Sequence, residues 1–81
     1  MNIGMLWFDD TPREMAVKIQ QAAAYYRQKY GQVPNLCFVH PSMLAADALK
    51  LNGVAVRPAQ TVLPGHFWLG VEQTAPQPKQ G

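Results

Sequence analysis

Asp9, Asp10 and His40 are the residues of this 81-residue sequence whose types could act together in chemistry. Two adjacent carboxylates offer hard oxygen ligands for Mg²⁺ or Mn²⁺. An imidazole beside them could help activate water against a phosphate ester or a similar electrophile. Glu14 could add a further oxygen. The result would be a metal-dependent hydrolase or phosphodiesterase-like site. The spacing matches no metal-binding motif, however, and a simpler account covers the same residues. Asp9 and Asp10 end a strand and favour the N-terminal dipole of the helix that follows, while His40 caps the turn before a proline. That account predicts no metal and no cofactor.

Cys37 stands three residues before His40, which invites a zinc site or a Cys-His nucleophile. In a strand, residues three apart point to opposite faces, so the pair cannot easily share a site. Cys37 also lies inside the apolar run Leu36 to Val39, where a buried thiol carries little thiolate and packs as a small hydrophobe. The chain holds no Gly-x-Gly-x-x-Gly, P-loop, Gly-x-Ser-x-Gly or His-Glu-x-x-His pattern.

A second group of residues suggests binding rather than catalysis. Arg57, His66 and Trp68 are expected on the outer face of the last two strands with Glu72, an aromatic set among polar groups. Tyr25 lies between Lys18 and Lys29 on a helix flank. Single-stranded nucleic acid stacks on exposed aromatics while basic residues follow its phosphates, but a platform wants two or three aromatics and more cations than this. Packing or a dimer interface is the commoner use of such a Trp.

The elements that must position these groups follow from the apolar pattern. Ile3 to Phe8 and Leu36 to Val39 are short unbroken apolar runs between breakers, which is how strands covered on both faces read. They are expected side by side. Thr11-Pro12-Arg13-Glu14 reads as a capping box, predicting a helix from Pro12 to Tyr30 that ends at Gly31. Its sheet-facing stripe is Met15, Ala16, Ile19, Ala22, Ala23, Tyr26 and Tyr30, and its opposite face has an uncharged centre of Val17, Gln20, Gln21, Ala24 and Gln28. Pro41 opens a second predicted helix, in which Met43, Leu44, Ala48 and Leu51 recur at helical spacing before Asn52-Gly53 stops it. Val54 to Arg57 is a third strand ending at Pro58. The Pro64-Gly65 pair predicts a type II turn, and His66 to Glu72 is a last strand, antiparallel to the third.

The expectation is therefore an α/β fold, one small domain over residues 1–72 in the order β-α-β-α-β-β. Its mixed sheet has parallel strands one to three and an antiparallel last strand. A Pro/Gln-rich tail over 73–81 is expected to be disordered. Parallel strands would set Asp9, Asp10 and His40 at one carboxyl-end edge of the sheet, where ligands of open α/β sheets bind.

Composition narrows the function classes. The chain is 48% hydrophobic but only 15% charged, well under the ordinary quarter. A chain this short buries only about 60–65% of its unfolded surface, and two helices can hardly cover both faces of four strands. Apolar surface is thus left for a homodimer partner, another protein or a ligand. The longest apolar run is too short for a membrane span, no secretion signal opens the chain, and one cysteine allows no internal disulfide, so a cytoplasmic location is expected. A net charge of +2 permits nucleic-acid contact without arguing for it. The resulting reading is a small, self-associating binding or interaction module, favoured over an enzyme, with the hydrolase site and a weak single-stranded nucleic-acid binder as alternatives.

Overall fold

The computed structural model describes residues 4–44, 49–51 and 53–72. The first apolar run forms β1 (Gly4–Phe8), and the helix that follows is α1 (Met15–Tyr30). The second run forms β2 (Leu36–Val39). A 3-10 turn over Pro41–Met43 then leads to β3 (Leu49–Leu51), β4 (Val54–Pro58) and β5 (His66–Gly70). The five strands make one sheet in the order β1-β5-β2-β4-β3. Both β1 and β2 pair antiparallel with β5, while β4 pairs parallel with β2 and β3 antiparallel with β4.

This is a small α/β fold with a mixed sheet, as the pattern predicts, but three expectations need correcting. First, β1 and β2 are not neighbours. They run in the same direction, and β5 lies between them. The last strand is antiparallel, yet its partners are β1 and β2 rather than β4. Phe67 and Leu69 are fully buried, so β5 has the apolar content of a central strand and takes the central place.

Second, no second α-helix occurs among the described residues. The predicted helix is replaced by the three-residue turn at its start and by β3 at its end. Its middle, residues 45–48, lies outside the described residues, as does Asn52. Leu51 pairs with Val54, so Asn52 and Gly53 alone separate β3 from β4, and Gly53 has φ 80°. Asn-Gly is a strong two-residue hairpin signal as well as a helix stop. Leu49-Lys50-Leu51 supplies the alternation that goes with the hairpin.

Third, α1 starts at Met15 instead of Pro12. Glu14 is its N-cap, without a side-chain cap, and its carbonyl accepts from the N–H groups of Val17 and Lys18. The Thr11 hydroxyl is taken up by Asp9, so the predicted capping box never forms. The helix ends as predicted, where Gly31 at φ 74° donates its N–H to the Arg27 carbonyl. Its 16 residues span about 24 Å.

The predicted stripe of α1 does face the sheet. Ile19, Ala22 and Tyr26 are buried against Met5, Cys37, Val39, Val54, Val56, Phe67 and Leu69, which together form the core. Every strand residue in that set lies on one face of the sheet, and Trp7, Leu49 and Leu51 pack beside them. The type II turn also forms: His66 donates to the Leu63 carbonyl at 3.0 Å, and Gly65 has the positive φ (82°) that this turn demands. No described helix is long and apolar enough to cross a membrane. The predicted tail, 73–81, lies outside the described residues.

Candidate functional site

Asp9, Asp10 and His40 stand at one edge of the sheet, since β1 and β2 both end there, with the start of β5 between them. Asp9 is 7% exposed and serves as the hub of the β1–α1 loop. Its Oδ1 accepts from the Thr11 N–H at 3.0 Å and from the Thr11 hydroxyl at 2.6 Å. Its Oδ2 accepts from Arg13 at 2.9 Å, and its backbone carbonyl accepts from Lys18 Nζ at 3.1 Å. The Thr11 hydroxyl, then the Thr11 N–H, Arg13 and Lys18 hold its carboxyl below the usual carboxylate range, against the opposing effect of burial. Asp10 is exposed.

His40 caps the 3-10 turn. Its Nδ1 accepts from the Ser42 N–H at 3.1 Å and lies 2.8 Å from the Ser42 hydroxyl. With Nδ1 accepting, the neutral ring carries its proton on Nε2. The Gly65 N–H donates to Met43 Sδ at 3.2 Å and ties this turn to the one before β5. Among the described residues, no three His, Cys, Asp or Glu side chains gather where they could hold a metal ion. Cys37 is fully buried on the helix side, and burial pushes its thiol up to about 12.

The other face of the sheet carries the more distinctive arrangement. Alternation along the strands sends Leu6 and Phe8 of β1, His66 and Trp68 of β5, Phe38 of β2 and Arg57 of β4 to the side away from α1. The register places Leu6 opposite Trp68, Trp68 opposite Phe38, and Phe38 opposite Arg57, a row across four strands. The Phe38 and Trp68 rings lie 5.8 Å apart, and Phe8 and His66 lie 4.8 Å apart. Trp68 lies across Gly4, where a side chain would collide with its indole. Leu6 and Phe8 remain 62% and 58% exposed.

Phe38 and Trp68 also form the floor of a groove of about 320 Å³, whose wall is Ala59, Thr61 and Val62 from the loop before β5. Arg57 closes the row with an ion pair to Glu72 at 3.4 Å, both groups partly exposed. Glu72 is fixed in turn by Asn35, whose Oδ1 accepts its N–H at 2.7 Å.

The predicted binding residues therefore fall into two groups on opposite sides of the sheet. Arg57, His66 and Trp68 share the open face. Lys18, Tyr25 and Lys29 belong to α1 on the other side, and each is engaged locally. Lys18 is buried and donates to Asp9. Tyr25 packs on Trp7 at 5.3 Å between ring centroids, and Lys29 stands 5.5 Å over the Tyr30 ring. The sequence reading missed Leu6, Phe8 and Phe38 because it took both apolar runs as covered on two sides. The signal present in the sequence was the shortage of cover, since even two helices can hardly cover both faces of the sheet, and α1 covers one face only.

No protein-family model, curated protein or solved structure matches this chain.

Proposed function

We propose that this chain is a small binding module that works through the open face of its sheet, and that it works as a self-associated pair. The exposure of Leu6 and Phe8 beside Phe38 and Trp68 carries this reading. No charged side chain interrupts these four residues. Arg57, Lys50 and Glu72 stand toward the β4–β3 side, which gives the apolar centre and polar margin of a protein interface. With 58% of Phe8 in water, roughly 115 Å² of an aromatic surface of about 200 Å² is uncovered, worth about 3 kcal/mol at about 25 cal/mol per Å² once buried. The groove over Phe38 and Trp68 is then the place for a protein partner. The single Cys37, a buried thiol, suits a reducing compartment such as the cytoplasm.

Light scattering across a concentration series tests the pairing. The expected mass rises toward twice 9.0 kDa, and a Leu6→Ser/Phe8→Ser variant weakens association at least about tenfold. A wild-type chain that stays monomeric, or a variant that pairs as well as wild type, would count against the reading.

One observation favours a second reading, a weak single-stranded nucleic-acid binder. The open face groups Phe8, His66, Trp68 and Phe38 with Arg57, more aromatics than the sequence reading assigned to it. Fluorescence anisotropy with labelled oligo-dT and oligo-U at low and moderate salt decides it. Binding that weakens steeply with salt and drops on Trp68→Ala would support it, and flat anisotropy would exclude it.

A further inference from the structure

We infer that the second copy joins along β1, edge to edge, so that two five-stranded sheets become one continuous sheet. This rests on the self-association proposed above and specifies its geometry.

β1 is the terminal strand of the sheet, and its outer side pairs with nothing among the described residues. Asp9 donates its N–H to the Gly65 carbonyl at 2.9 Å, so the backbone at Asp9 faces β5. Antiparallel ladders alternate. The N–H and C=O groups of Trp7 and Met5 therefore face β5, while those of Gly4, Leu6 and Phe8 face outward. Exposed edges normally carry a Lys, a Pro or a bulge, or are very short, because unpaired backbone groups recruit other strands. The opposite edge follows that rule, with three residues and Lys50 at the centre of β3. β1 does not: GMLWF is five residues long, uncharged, free of proline, and unbroken in register from Gly4 opposite Gly70 to Phe8 opposite His66.

The strand is also complementary to itself. A two-fold axis through Leu6 sets Gly4 of one copy opposite Phe8 of the other, and Leu6 opposite its own copy. Every outward donor then meets an outward acceptor, for about six backbone hydrogen bonds. Phe8 of one copy would stand opposite Gly4 of the other, beside the Trp68 indole that already covers that glycine. Leu6 would gain its own copy as a cross-strand neighbour, and the two open faces would join into one continuous apolar surface. Packing the two open faces together instead would leave the outward N–H and C=O groups of Gly4, Leu6 and Phe8 without partners.

Residue-resolved amide hydrogen exchange on the full chain, at concentrations spanning the dissociation constant, tests the geometry. The amides of Leu6 and Phe8 should exchange at least about tenfold more slowly in the dimer than in the monomer. Leu6→Pro gives an independent arm. Leu6 donates nothing to β5, so an edge strand admits proline there, and the variant should stay folded while pairing at least about tenfold more weakly. A dimer whose Leu6 and Phe8 amides exchange as fast as the monomer's would overturn the edge pairing and leave self-association standing; protection of the Trp68 indole N–H instead would identify face-to-face packing. A chain monomeric at every concentration would overturn both. If Leu6→Pro fails to fold, the exchange data on the wild-type chain decide alone.

Discussion

Replacing Gly4 by Ala should change the sign of its effect according to whether Trp68 is present. In an unobstructed strand the substitution stabilises by about 0.4–1 kcal/mol, chiefly by narrowing the unfolded ensemble. Here the new methyl would fall inside the Trp68 indole. A rigid indole makes this an overpacking problem, costing about 1–3 kcal/mol. An indole that yields must leave its 5.8 Å contact with Phe38, which forfeits about 0.5–1.5 kcal/mol. The net expectation is destabilisation by about 0.5–2 kcal/mol, or several degrees in Tm for a domain this small. In a Trp68→Ala background nothing obstructs the methyl, and the same change should stabilise by about 0.4–1 kcal/mol. Urea unfolding of the four proteins, below the concentration of self-association, closes a double-mutant cycle whose coupling is about 1–3 kcal/mol. An additive cycle, or a Gly4→Ala protein more stable than wild type with Trp68 in place, would refute the diagonal contact and with it the β1–β5 register on the open face.

Three further outcomes follow from local chemistry. Asp9 has a depressed folded-state value, so its stabilisation is complete above the ordinary value of 3.8 and is lost as pH falls through the folded value. The urea midpoint of wild type should therefore fall on acidification more steeply than that of Asp9→Asn, with Asp10→Asn behaving like wild type; equal slopes for all three would remove Asp9 from the role of hub. Cys37, buried and with its thiol pushed up to about 12, should not react with a disulfide reagent in the native chain near pH 8, and should react in step with unfolding as urea is added. Gly53→Ala places a side chain at φ 80° and should cost about 1–2 kcal/mol by thermal unfolding, with no loss if the β3–β4 turn relaxes freely.

Much of the fold was legible because local signals agreed with one another. Ile19, Ala22 and Tyr26 recur at helical spacing and are the residues buried under α1, and Leu63-Pro64-Gly65-His66 allows one comfortable turn. The errors arose where one signal fits two structures. Asn52-Gly53 suits a helix stop and a hairpin equally well. Thr11 can cap a helix or bond to Asp9, and only the competition between nearby donors decides. The place of β5 between β1 and β2 depends on contacts distant in sequence, which no local pattern carries. That placement, with no second helix among the described residues, is also what hid the open face. Trp68, His66 and Arg57 were visible as an outward set, while Leu6, Phe8 and Phe38 join them only once α1 is seen to lie on the other side of the sheet.

The most direct test of the central claim is the solution mass of the full chain by light scattering, from low micromolar concentration to about 1 mM, where a Kd corresponds to only about 4 kcal/mol of association. The mass is expected to rise from 9.0 kDa toward twice that value, and serine at Leu6 and Phe8 to reverse the rise. A mass that holds at 9.0 kDa throughout would contradict it, and the exposed edge and face of this sheet would have to serve some purpose other than pairing.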